Sequence, residues 1–110
     1  MALFESLLLA ALLALGAGCS RPVSGRVAVD VTEDGFVPAT VHVRRGAPLT
    51  LVVTRRTDAT CATRAEFATL GRGYDLPLGK PVAIPIPTDS ARTIRYACPM
   101  DMYKGKVIVE

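Results

Sequence analysis

Three soft sulfur atoms fall within five residues in the run Cys98-Pro99-Met100-Asp101-Met102-Tyr103-Lys104-Gly105. One thiolate and two thioethers at alternate positions suit a thiophilic ion such as Cu(I), and suit magnesium or calcium badly. If the loop is extended, Met100 and Met102 point the same way. Both could then reach one ion, or one of them could help to hold a second ion bridged through a cysteine. The competing use of two methionines is to fill gaps beneath the loop. Alone, the run offers at most three sulfur ligands of a possible site, and a further ligand must come from elsewhere in the chain.

The other cysteines are Cys19 and Cys61. Residues 1–18 are rich in Leu and Ala, and the apolar run from Leu7 to Ala17 is shorter than the roughly 20 residues that span a bilayer. Gly16-Ala17-Gly18 ahead of Cys19 resembles a bacterial lipoprotein signal, which implies cleavage and a lipid on Cys19. An ordinary cleaved signal and an uncleaved anchor are the alternatives, and all three place the domain outside the cytoplasm. This divides the chain into a signal over 1–18, a tether over 19–25 and a domain over 26–110. With Cys19 in the anchor, Cys61 and Cys98 remain as a pair. In an oxidising compartment two such cysteines form a disulfide as readily as they serve a metal, and one molecule can do both in turn.

The elements that must position this pair read as strands. The chain has no tryptophan, few aromatics, and many Val, Thr, Pro and Gly residues, a composition of short strands and turns. Val27, Val29 and Val31 alternate with outward residues, as do Val41 and Val43, which leaves the lone His42 on a solvent face. Leu49 to Thr54 is the most apolar run and reads as a central strand. The polar stretch Arg55 to Thr60 then delivers Cys61. Ala68 to Lys80 has no sustained period and reads as a long connection with Leu76 and Leu78 tucked beneath it. The prolines of Pro81 to Pro87 confine that run to a sheet edge. Arg92 to Ala97 delivers Cys98, and Val107 to Val109 closes the chain. About seven short strands with no helix after the leader predict an all-β Greek-key sandwich, preceded by a helical signal or anchor segment. In such a fold the loops gather at the two ends, so Cys61 and Cys98 could meet at one of them.

The net charge of +3 is small. Arg44-Arg45 and Arg55-Arg56 sit on turns without interleaved aromatics, so they read as solvated faces and not as a nucleic-acid surface. A weaker alternative is docking to an acidic partner or an anionic membrane. No acid, base or nucleophile constellation for an enzyme is present.

Gly35-Phe36-Val37-Pro38, Val41-x-Val43-x-x-Gly46, the strand Leu49 to Thr54, and Tyr96-x-Cys98 with Gly105-x-Val107 together resemble the cupredoxin family. The resemblance covers nearly all of the chain after the leader. Where a blue-copper member carries histidines, this chain has Cys61 and a last loop without histidine. A blue-copper carrier or a binuclear CuA centre is therefore not implied. Thr60-Cys61-Ala62, the Cys-x-Met-x-Met of Cys98 to Met102 and the connection Asp75 to Lys80 resemble a subgroup of membrane-anchored Cu(I) chaperones and cupredoxin domains of copper-exporting P-type ATPases. That resemblance implies Cu(I) held by Cys61, Cys98, Met100 and Met102 in a monomeric, extracytoplasmic, membrane-tethered protein. Its partner would be a copper-exporting P-type ATPase or another cuproprotein. A small electron-transfer protein with an atypical copper site and a metal-free, disulfide-stapled interaction module are the competing expectations.

Overall fold

The computed structural model describes residues 21–110. The leader, its expected helix and Cys19 lie outside the described residues. Nine strands follow in order: β1 Gly25–Thr32, β2 Gly35–Val37, β3 Thr40–Val43, β4 Leu49–Arg55, β5 Arg64–Phe67, β6 Arg72–Asp75, β7 Val82–Ile86, β8 Arg92–Ala97 and β9 Lys104–Val109. They form two sheets, β2-β1-β4-β7 and β3-β9-β8-β5-β6. The architecture is the expected all-β sandwich, with two strands more than the sequence pattern suggests. β6 arises inside the stretch read as a connection. There Gly71, in a left-handed conformation after a 3-10 turn at Ala68–Leu70, lets the chain reverse onto β5.

Alternation decides the core. Val29 and Val31 are fully buried beside Leu51, Val53 and Ile84 of the same sheet, and Val41, Val43, Ile94 and Val107 face them from the other sheet. Each such side chain contributes roughly 1.5–3 kcal/mol on leaving water. β4 is an interior strand and the proline-bearing β7 an edge, as the pattern requires. Leu78 departs from expectation. Leu76 is buried, but Leu78 is half exposed, because Arg55 and Leu78 pair as an isolated bridge that keeps the chain at the surface.

Consecutive strands cross repeatedly between the sheets. The β1–β2 turn, the β4–β5 connection and the β8–β9 loop are thereby brought to one end of the sandwich. Beneath that end lies an aromatic cluster. Tyr96 stacks on Phe67 at 4.8 Å and meets Phe36 of the opposite sheet edge-on at 4.9 Å. Its hydroxyl is buried and has no hydrogen-bond partner among the described residues, and burial pushes its pKa up to about 12. Tyr96→Phe removes this unpartnered oxygen and is expected to raise stability by about 1 kcal/mol, measured by urea unfolding. A loss of stability would show that the hydroxyl has a partner.

Candidate metal centre

Cys98 is positioned by the end of β8 and by the turn that follows it. Pro99 fixes the second position of a turn closed by the Asp101 amide donating to the Cys98 carbonyl at 2.9 Å. Asp101 takes a left-handed φ of 58°, which a short polar side chain tolerates, and its carboxylate lies 3.4 Å from Lys104 at the surface. The Cys98 amide donates to the Tyr103 carbonyl at 3.0 Å and shuts the loop at its base. Tyr103 packs across Gly35 and donates its hydroxyl to the Glu33 carbonyl at 2.7 Å, so the loop is tied to the β1–β2 turn.

Cys61 arrives on a connection built from hydroxyl turns. The Ala59 amide donates to Thr57 Oγ1 at 3.0 Å, and the Ala62 amide donates to Thr60 Oγ1 at 3.1 Å. Ala62 is fully buried and anchors Cys61 on the core. Arg55 braces the same connection. Its guanidinium donates to the carbonyls of Leu76 at 2.7 Å and Thr57 at 3.3 Å, and it pairs with Asp58 at 3.2 Å. Arg55 is thus no solvated turn residue: its side chain is 11% exposed. The strand phase that turns Leu49, Leu51 and Val53 inward continues to residue 55, and that was the available signal.

The two cysteines meet: Cys61 Sγ and Cys98 Sγ lie 3.5 Å apart, and both are free thiols. Cys98 is 2% exposed, while Cys61 is half-buried. Cys98 Sγ also accepts from the amides of Met102 at 3.2 Å and Tyr103 at 3.3 Å. Burial opposes a charge on Cys98. The Tyr103 amide, the Cys61 thiol and the Met102 and Met100 amides outweigh it and hold the thiol below its ordinary pKa. Cys61 moves up, because its thiol donates to Cys98, burial disfavours its charge, and the Cys98 thiolate repels a second one. Cys98 is therefore the member of the pair that gives up its proton first, with the Cys61 thiol as donor between the two sulfurs, and the two titrate as a unit.

Met100 and Met102 are 68% and 67% exposed. Gap-filling beneath the loop is thereby excluded. The loop is a closed turn, so the extended geometry in which alternate side chains point the same way does not arise. Both thioethers still lie on the short segment that carries Cys98. His42 is far from this end, on the outer face of β3, where Nδ1 meets Glu110 Oε1 at 2.9 Å. Among the described residues no three His, Cys, Asp or Glu side chains converge. The donor set is therefore sulfur alone, which favours a soft monovalent ion over Cu(II) or a hard cation. A gap of 3.5 Å between two sulfurs can be bridged by one ion, since two metal–thiolate bonds of about 2.3 Å reach across as much as about 4.6 Å.

The family model for the cupredoxin-like domain matches residues 5–109. No curated protein matches the sequence. Among solved structures, the chain is similar to the metal-binding domain of the Cu(I)-exporting P-type ATPase CopA of Streptococcus pneumoniae D39, solved with Cu(I). The TM-score is 0.71 at 20% identity, over 84% of this chain and 99% of that one. A copper-binding protein solved in the apo form gives 0.70 at 26% identity, over 84% and 93%. An amicyanin variant in its reduced state gives 0.54 at 23% identity, over 84% and 94%.

Proposed function

The chain belongs to the cupredoxin-like domain family, and from that premise we propose that it is a non-catalytic, extracytoplasmic Cu(I) carrier tethered to a membrane. The observation that carries this reading is the 3.5 Å approach of Cys61 and Cys98 with no histidine beside them. Cys61 and Cys98 supply the two thiolates, and Met100 and Met102 are the thioether donors within reach of the surface. Without imidazole ligands such a site does not cycle between copper oxidation states; it takes up and passes on its cargo by ligand exchange. An incoming thiolate adds before an outgoing sulfur leaves, and the exposed methionines are where a partner's ligand enters. The likeness to a metal-binding domain of a Cu(I)-exporting P-type ATPase supports such an exporter, or another cuproprotein, as that partner.

Anaerobic titration of the reduced protein with Cu(I) against a chromogenic chelator tests the proposal. The protein is expected to withdraw Cu(I) from the chelator and to give no strong visible band with Cu(II). An intense visible band would favour electron transfer, and failure to compete would end the carrier reading. The same sulfur approach favours one other state, a disulfide formed when an oxidant removes two electrons from the pair and its thiol protons leave to solvent.

The thiol pair also sets a pH dependence. Between the lowered pKa of Cys98 and the raised pKa of Cys61, binding expels the one proton left on Cys61. Affinity for Cu(I) should therefore rise about tenfold per pH unit in that window and level off above it. A flat profile from chelator competition at successive pH values would mean that Cys61 does not bind as a thiolate.

A further inference from the structure

The two ends of the sandwich differ in charge. At the end opposite Cys61 and Cys98 the chain enters the domain. The Val23 amide donates to the His42 carbonyl at 2.8 Å, and the Gly25 amide donates to the Pro48 carbonyl at 2.7 Å. Residues 1–20 are thus attached at this end. The same end gathers the β3–β4 turn, the β7–β8 turn and the close of β9, joined by the Gly46 amide to the Thr88 carbonyl at 2.7 Å and the Arg45 amide to the Glu110 carbonyl at 2.8 Å.

Arg21, Arg26, Arg44, Arg45 and Arg92 are exposed here. None of them is in an ion pair among the described residues. The arginines and lysine that are paired, Arg55, Arg56, Arg64 and Lys104, belong to the other half of the domain. The acids at the entry end are Asp89 and Glu110, and Glu110 is already engaged by His42. Arg44 and Arg45 line a groove with Pro22, the residue through which the chain leaves toward its apolar leader. An unpaired arginine cluster at the root of an apolar leader matches the charge of a phosphate headgroup layer, which guanidinium groups engage through paired N–H donors.

We propose that this end of the domain rests on an anionic bilayer surface, so that the Cys61–Cys98 end faces away from the membrane. The proposal rests on the tethered reading above. β1, with its eight residues, sets the height of the cysteine pair above the lipid at about 25 Å. Each arginine that reaches the surface strengthens the contact about fivefold, and salt weakens it.

The test reconstitutes the full chain on phosphatidylcholine vesicles and on vesicles that also contain phosphatidylglycerol. Flotation reports association, and arginine-directed dicarbonyl labelling read by mass spectrometry reports which arginines are covered. On the anionic vesicles, labelling of Arg26, Arg44, Arg45 and Arg92 is expected to fall several-fold, with Arg72 and Arg95 unchanged. High salt, or Arg44→Glu combined with Arg45→Glu, is expected to restore labelling of Arg26 and Arg92. Equal labelling on both lipids overturns the proposal and leaves those arginines to an acidic protein, while flotation with phosphatidylcholine still upholds the tether. Flotation with anionic vesicles alone, lost in high salt, supports the basic surface and removes the tether. A chain that floats with neither vesicle overturns both.

Discussion

Replacing Cys98 with serine is expected to lower Cu(I) affinity by more than about a hundredfold, beyond what the loss of an outer-shell partner costs a metal site. Cys98 is the buried member of the pair, and its sulfur accepts two main-chain amides as well as the Cys61 thiol. A serine oxygen there is a hard donor that stays protonated, so the ion loses its anionic ligand. Cys61→Ser should cost less, because Cys98, Met100 and Met102 remain on one loop as a weaker all-sulfur set. Chelator competition on both variants measures the difference, with urea unfolding to confirm that each is folded. Parent-like affinity in a folded Cys98→Ser protein would remove the proposed site. Equal losses in the two variants would instead show that the amide contacts give Cys98 no special weight.

Gly105→Ala is expected to destabilise the domain by about 2–3 kcal/mol, the range for overpacking a filled core. Gly105 sits directly opposite Tyr96 in the β8–β9 ladder, and the tyrosine ring lies over its α-carbon. A β-carbon at residue 105 would overlap the ring. The ring has nowhere to retreat, held as it is between Phe36 and Phe67. The strain falls at the first residues of β9, so the loop carrying Cys98 should loosen and Cu(I) affinity should fall with stability. Urea unfolding of Gly105→Ala, alone and combined with Tyr96→Phe, checks this account. The double variant should remain destabilised, because the overlap involves ring carbons as well as the hydroxyl. A change under about 0.5 kcal/mol in the single variant would mean that the ring packs elsewhere.

Much of the architecture is legible without coordinates because period-two alternation is a one-dimensional property. The inward valines of β1 and β3, the interior place of β4 and the edge place of β7 follow from local residue order and from proline's missing N–H. β6 was hidden because Arg72-Gly73-Tyr74-Asp75 has no apolar alternation. It is a strand through its ladder to β5, a tertiary fact. Arg55 misleads for a related reason: its charge points to solvent, while the carbonyls that satisfy it are brought close only by folding.

The order of residues already carries the chemistry within reach: soft sulfur donors with no histidine among them, a lone histidine on an outward face and a sandwich whose loops meet at its ends. Residue type and strand phase suffice for these. Tertiary structure alone decided that Cys61 and Cys98 approach to 3.5 Å, that amides from the turn make Cys98 the more acidic thiol, and that Met100 and Met102 stand in solvent. Each depends on where one loop lies relative to another, and contact between residues 37 positions apart is set by how the strands cross between two sheets.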